Sequence, residues 1–516
     1  MKIKRINLFV LWLVALSTFL IFLNLDNTYL WQDEAETALL AKSILVHGIP
    51  KAYDGHNLIS QEFGREYNQN YTWFWTPWLQ FYLAAFSFLL LGINTFAARA
   101  PFALVGIGCV IATYYLGWNV SKEERVGRLS ALFIIFNVYF LLHVRQCRYY
   151  SLLILFSVLT ILFYFLVRQE KKNAIFLFFV SATLFFHSSY IQCLILLAIL
   201  FMHWFLFDRK VIAPRKIFLM YSSVLVLNPP WFFLFLRQIS KKLNSPNYLA
   251  SIESLRIENL KSALSELDYY VLPLVILCIF LLIAFIDVRK NRSSLLSPMI
   301  LLVEIIIGTI LVFVFCLPYI FFRYIIGLVP LIYILSAFAI NIIVRKNWML
   351  GVPLFLLLCF TNIRFPYTEV GDKLVYQPFP ILNYLKEVFS LPRDPTKGLV
   401  EYLKKDPTLS SKTIAITYGD LPLKFYTPAT VIGGLTGQSL SAIKNADYAI
   451  IPSHVVGAPD EKLSRYFLEN IPFENYEPIE LDSPDYLFGN IPEPYYHRFQ
   501  MPSKEKLIVY KKINRK

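Results

Sequence analysis

Disulfide and zinc chemistry have little to work with in this sequence. Of 516 residues six are cysteine (Cys109, Cys147, Cys193, Cys278, Cys316 and Cys359), each in or beside an apolar run, and the polar stretch 364–516 has none. That excludes a disulfide framework and a CxxC-type metal site. The same stretch lacks G-x-G-x-x-G and G-x-x-x-x-G-K-[ST], so no nucleotide cradle is expected there. No internal repeat is visible, which argues against a transporter built from inverted repeats. Charge is also sparse, at 16% of residues against 57% hydrophobic. A soluble chain of this size could not cover its surface with so few, and the chain reads as membrane-embedded. The net charge of +14 sits in short basic clusters between apolar runs, so membrane topology accounts for it and nucleic acid is not an expected partner.

A membrane span needs roughly 20 apolar residues. Runs of that kind occur near 6–25, 96–119, 127–144, 150–167, 174–188, 190–207, 217–236, 269–286, 298–317, 323–343 and 348–363. The first follows Lys2, Lys4 and Arg5, but Asn24-Leu25-Asp26-Asn27 offers no small-residue cleavage site, so it is expected to stay as an anchor. A shorter run, 77–91, decides the parity. If it lies in the interface, the clusters around Arg125, Lys171, Lys210, Arg289 and Arg345 all fall on the side of the N-terminus. The positive-inside rule therefore favours about eleven spans plus juxtamembrane helices, a cytoplasmic N-terminus, and a plasma (inner) membrane location. The segment 26–95, the turn at 145–150, the loop 237–268 and the tail then lie outside.

Composition changes near 364, where Pro, Asp, Glu and Lys become frequent. Strand-like runs at 413–417, 448–451 and 507–510 alternate with helical patterns at 398–405 and 460–470, and the Pro-rich 366–395 reads as a linker. The expected fold class is a polytopic α-helical membrane protein, residues 1–363, with a small C-terminal α/β external domain, 364–516.

Chemistry is sought on the external side. Gln32-Asp33-Glu34-Ala35-Glu36 opens a helical pattern directly after the first span. Acids in a first turn are accounted for by capping and the helix dipole, yet carboxylates at a membrane boundary are also a functional signal. Arg145, Arg148, Tyr149 and Tyr150 occupy the next external turn, and Arg323-Tyr324 opens a late span. Snorkelling at an interface is the plain account of such arginines, and planar phosphate recognition the sharper one. His187 lies in another external turn, where a polar helix end competes with substrate contact. Tyr71-Thr72-Trp73-Phe74-Trp75 reads first as an interface anchor, with sugar stacking as the alternative.

Asp33-Glu34-Ala35, Gly92-Ile93-Asn94-Thr95-Phe96-Ala97-Ala98-Arg99-Ala100-Pro101, Arg145 to Leu152, and Phe322-Arg323-Tyr324 with Pro330 follow one another in an order and spacing that resembles the GT-C glycosyltransferase superfamily. Its protein O-mannosyltransferases, lipid A aminoarabinose transferases and lipopolysaccharide-core galacturonosyltransferases are the groups most similar. The resemblance covers about residues 5–345. It implies an enzyme of the cell envelope that moves a monosaccharide from a polyprenyl-phosphate sugar to a lipid, glycan or protein acceptor, with inversion. Asp33 is then the catalytic base and Glu34 its support. Arg148, Tyr149, Arg323 and Tyr324 bind the donor phosphate, and His187 contacts substrate. Two departures stand out. Thr76-Pro77 replaces the Lys-Pro of many relatives, and Arg148-Tyr149-Tyr150 lacks the acid that several carry. No metal-ligand set or resident cofactor is therefore assigned, and a divalent metal is called into question. A lipid-linked saccharide flippase and an inactive lipid-sugar scaffold are the alternatives.

Overall fold

The structure is a computed structural model that describes residues 7–243, 246–318, 320–362, 367–370, 373–376, 379–390, 394–453, 458–487, 489–493, 497 and 505–513. It divides into two compact units that are not contiguous in sequence. One comprises Met1–Leu23, Phe102–Tyr367 and Tyr376–Leu382, the other Asn24–Pro101, Thr368–Val375 and Asn383–Lys516.

The first unit is helical. Among the described residues five helices are long and apolar enough to cross a membrane: Thr95–Ser121, Tyr150–Arg168, Tyr190–Asp208, Ser293–Cys316 and Phe322–Lys346. Three bent pairs raise the number to as many as eight if each is one span. These are Glu124–Phe136 with Val138–Val144, Pro214–Val226 with Trp231–Arg237, and Arg256–Tyr270 with Leu274–Asn291. Leu8–Phe22, Ala174–Phe186 and Trp348–Phe360 are shorter apolar helices, as is Leu79–Leu91, which with the start of Thr95–Ser121 falls in the second unit. Every run expected to span thus contains a helix, but several are shorter or more sharply bent than a single straight span. Helix Val329–Lys346 is buried almost throughout from Val329 to Ile342, which explains why it is apolar on all sides. The loop expected at 237–268 is largely helical, with Pro246–Tyr270 as one helix. Leu260, Ala263 and Leu267 recur there at helical spacing, and Ala263 and Leu267 are buried.

A polar cluster links the ends of three helices in this unit, Tyr150–Arg168, Tyr190–Asp208 and Ser293–Cys316. Asp208 accepts from Tyr164 Oη at 3.1 Å and Ser297 Oγ at 3.0 Å, and pairs with Arg168 Nε at 3.1 Å. His203 Nδ1 lies 2.6 Å from Glu304 Oε2. Buried polar groups are tolerable when satisfied in this way.

In the second unit α1 (Gln32–His47) begins with Asp33 and Glu34 in its first turn and stops at Gly48. Gly48 has φ +72°, the left-handed conformation that lets glycine end a helix without a Cβ penalty. A two-stranded pair, β1 (Tyr367–Val370) with β2 (Lys373–Tyr376), and a helix, Pro380–Phe389, occupy much of the stretch expected as a linker. The tail forms a five-stranded sheet from β3 (Thr413–Ile416), β4 (Thr430–Gly433), β5 (Tyr448–Ile450), β6 (Tyr476–Pro484) and β7 (Lys506–Lys512), in the order β4-β3-β5-β7-β6. β3 is parallel to β4 and β5, whereas β7 runs antiparallel to β5 and β6. Alternation sets the two faces. Ile414, Ile416, Val431, Ile450 and Val509 pack with Leu399, Val400 and Leu403, while Ala415, Ile432 and Ala449 pack with Leu463 and Phe467.

Candidate functional site

α1 carries the acids, and its first turn is held from three directions. Glu34 accepts from Arg99 at both carboxylate oxygens, Nε to Oε1 at 2.8 Å and Nη2 to Oε2 at 2.6 Å. Its Oε2 also receives the Trp31 backbone N–H at 3.4 Å. The remaining Arg99 donors reach the carbonyls of Leu25 (2.9 Å), Thr28 (2.8 Å) and Tyr29 (3.1 Å). Arg99, in the Gly92–Pro101 motif, therefore ties the 25–29 segment to α1 by a planar fork that lysine could not reproduce. Both side chains are buried, and removing one partner of such a pair costs roughly 3–5 kcal/mol. Glu34 sits in this lock rather than at an open surface.

Asp33 is partly exposed, while Glu34 and Glu36 are buried. Gln61 Nε2 bridges two of the acids, donating to Asp33 Oδ1 at 3.2 Å and to Glu36 Oε2 at 2.7 Å. The loop that carries Gln61 is folded around Glu66. Glu66 Oε1 accepts the backbone N–H of Gln61 at 2.5 Å and of Glu62 at 2.7 Å, and Oε2 accepts from Ser60 Oγ at 2.6 Å. Burial first, and the charge of Glu36 to a lesser extent, push the Glu66 carboxyl up to about 7. Among the described residues no group of three or more His, Cys, Asp or Glu side chains is placed to hold a metal ion.

The tail supplies the rest of the setting. Asp394 Oδ2 accepts the Tyr29 N–H at 2.5 Å, Tyr426 Oη accepts that of Leu30 at 3.0 Å, and Asn490 Nδ2 donates to the Tyr29 carbonyl at 3.0 Å. The Tyr29 and Tyr426 rings stack at 4.0 Å. Asn57 exchanges two hydrogen bonds with the backbone of Ala429 and Val431.

The arginines belong to the helical unit. Arg148 is nearly buried at the start of helix Tyr150–Arg168, its guanidinium 6.0 Å from the centroid of the Tyr149 ring. Arg323 lies over the rings of Phe321 (4.7 Å) and Tyr324 (5.5 Å). The neighbours of these two arginines converge on His143, which sequence reasoning missed. Its ring makes edge contacts with Tyr150 at 5.1 Å and Phe322 at 5.5 Å. Arg145 instead donates to the Ile21 and Leu23 carbonyls at 2.7 and 3.0 Å, capping helix Leu8–Phe22. His187 Nε2 is 2.9 Å from Asn228 Oδ1, and its ring meets Trp231 edge-on at 5.4 Å.

Residues 76–233 match the model of the dolichyl-phosphate-mannose-protein mannosyltransferase family. No curated protein matches the chain by sequence. In fold it is similar to the ArnT of Cupriavidus metallidurans bound to undecaprenyl phosphate, with a TM-score of 0.61 and 12% identity over 97% of each chain. It is also similar to the Archaeoglobus fulgidus oligosaccharyltransferase AglB in complex with an inhibitory peptide and a dolichol-phosphate. There the TM-score is 0.52 at 12% identity, over 92% of this chain and 69% of that one. The resemblance read from the sequence holds in both the family model and the fold: this is a multi-pass membrane chain with the fold of the GT-C glycosyltransferases.

Proposed function

We propose that the protein is a glycosyltransferase that moves a monosaccharide from a polyprenyl-phosphate donor to a lipid, glycan or protein acceptor at the external membrane face. The observation that carries this reading is the first turn of α1. There one partly exposed carboxylate, Asp33, is held by Gln61 beside a neighbour, Glu34, whose two oxygens are both engaged by Arg99. Two proteins of the same fold hold polyprenyl phosphates, undecaprenyl phosphate in ArnT and dolichol-phosphate in AglB, which supports the donor class. Fold alone does not decide chemistry, so the weight rests on the residues.

In this reading Asp33 accepts the proton of the acceptor hydroxyl as its oxygen attacks the anomeric carbon. The bond from that carbon to the phosphate oxygen breaks, and its electron pair leaves on the polyprenyl phosphate. Arg148 and Arg323, with Tyr149 and Tyr324 beside them, hold that phosphate by charge-assisted hydrogen bonds. A phosphate leaving group needs no general acid, and a single displacement inverts the centre. Glu34 supports Asp33 through the Arg99 lock, and His187 is assigned substrate contact. Residues 1–363 form the membrane module with a cytoplasmic N-terminus. Residues 364–516 form an extracytoplasmic domain, in whose compact unit the segment 24–101 is folded. A transporter would draw on Glu304 as an intramembrane acid, but the 2.6 Å contact with His203 gives that carboxylate a structural partner.

The test is transfer of radiolabelled sugar from polyprenyl-phosphate donors in membranes, comparing wild type with Asp33→Asn at matched expression. Loss of a general base is expected to lower the rate by about 100-fold or more. Wild-type transfer that survives the substitution would remove Asp33 as base, and absence of wild-type transfer with every donor would favour the transporter or scaffold.

A further inference from the structure

Resting on the reading of Asp33 as the base, we propose that Asp420 and Lys424, both in the tail, are positioning residues for Asp33. Neither touches the reacting atoms in this proposal. Together they set the geometry of the two chain segments that meet at the carboxylate.

Asp420 and Lys424 lie one turn apart on the short helix Asp420–Tyr426, and Nζ of the lysine is 2.6 Å from Oδ2 of the aspartate. Both side chains are completely buried. The pair has two further contacts, one for each segment. Asp420 Oδ1 accepts from Gln32 Nε2 at 2.7 Å, and Gln32 Oε1 receives the Leu421 N–H at 3.4 Å. Gln32 is the first residue of α1 and the immediate neighbour of Asp33. Lys424 Nζ donates to the Leu58 carbonyl at 2.8 Å. Leu58 opens the loop whose Gln61 amide reaches Asp33 and Glu36. One arm therefore fixes the backbone on which Asp33 stands, and the other fixes the strand of chain that delivers its hydrogen-bond donor.

The surroundings leave little freedom. A Cβ at Gly434, where φ is +59°, would lie 2.2 Å from Asp420 Oδ1, so glycine lets the chain leaving β4 pass close to the carboxylate. At Gly437, where φ is +75°, a Cβ would lie 2.7 Å from the backbone of Phe63 in the Gln61 loop, and the Phe63 N–H donates to the Leu435 carbonyl at 2.9 Å. Stability is a poor explanation for the pair, because well-packed apolar side chains of similar volume commonly do as well as a buried ion pair. Directional contacts to Gln32 and to the Leu58 carbonyl are what apolar side chains cannot supply.

Two variants separate positioning from folding. Asp420→Asn with Lys424→Met removes both charges at similar volume, and Gln32→Met cuts the arm to α1 while leaving the ion pair intact. Each is measured in full-length enzyme in detergent for thermal unfolding, for kcat and donor KM, and for the pH dependence of kcat, with Asp33→Asn alongside. Displacing a reacting group by about 1 Å lowers rates on the order of 100-fold. The expected result for Gln32→Met is a kcat reduced at least 10-fold, donor KM within about twofold, wild-type unfolding temperature, and a shifted acidic limb of the kcat profile. A folded Gln32→Met enzyme with wild-type kcat would overturn the inference while Asp33-dependent transfer kept the catalytic reading intact. A kcat that fell only in step with unfolding, at an unchanged pH profile, would also overturn it. Transfer that survives Asp33→Asn would remove both.

Discussion

Glu66 is a carboxylate placed where its own charge is unwelcome. Burial and the nearby Glu36 raise it to about 7 although three donors converge on its oxygens. A carboxyl whose pKa is raised by folding holds its proton in the native state over a range where the unfolded chain has lost it. The stabilisation is therefore fully present below about 4.5 and is lost as pH rises to about 7, because the unfolded chain binds fewer protons across that window. A tenfold change in proton affinity corresponds to about 1.4 kcal/mol, so the effect is of order 3 kcal/mol. Thermal unfolding in detergent should show a wild-type midpoint that falls between pH 5 and pH 8. Glu66→Gln should flatten that slope, because glutamine keeps a carbonyl for the Gln61 and Glu62 amides without a charge. A variant with the wild-type slope would locate the dependence elsewhere.

Among elements, α1 shows how local rules and distant contacts share one helix. Its acid first turn and its glycine stop at Gly48 follow ordinary end rules. A Cβ at Gly48 would meet nothing within 4 Å, so the strain of a substitution there is purely backbone. Gly48→Ala should destabilise by about 1 kcal/mol and Gly48→Asn by less, since asparagine tolerates the left-handed region. Comparison of their unfolding midpoints checks this, and equal values for alanine and glycine would contradict it. The same helix marks the limit of what its sequence discloses. Asp33 and Glu34 are legible from a signature and from their place after the first apolar run. Gln61 lies 28 residues from Asp33 and Asp420 lies 388 from Gln32, and no periodicity encodes contacts at such separations. Strands β3, β5 and β7 are legible as β-like runs. β4 has the β-branched run Thr430-Val431-Ile432 but is cut short by Gly433 and Gly434, and β6, an edge strand, is interrupted by Pro478 and Pro484. The helix Pro380–Phe389 reads as linker when proline counts only as a breaker, whereas at a first helical position it is a favoured starter.

For the whole molecule, the apolar runs disclose the membrane class, but hydropathy cannot see that helices 124–136 and 138–144 meet at 72° or that 256–270 and 274–291 meet at 81°. Those bends depend on packing and on breaks at Asn137 and Pro273, not on mean composition. Orientation is a separate matter, governed by the basic clusters. A phosphatase that is active only outside the cytoplasm, fused after Ile513, should be active, and the same fusion after Lys346 should be silent. The reverse pattern would invert the proposed topology and move Asp33 to the cytoplasmic side.

The discontinuity of the second unit also imposes an order of events on biosynthesis. Asn57 hydrogen-bonds to the backbone of Ala429, 372 residues later in the chain. At about 5–20 residues per second, roughly 20–70 s of translation separate the two. For that time the segment bearing Asp33 and Gln61 waits on its own, without the aspartate, lysine and glycine backbone that later brace it. A nascent chain halted before residue 420 therefore lacks the partners of Gln32 and of the Leu58 carbonyl: a part made late braces a part made early.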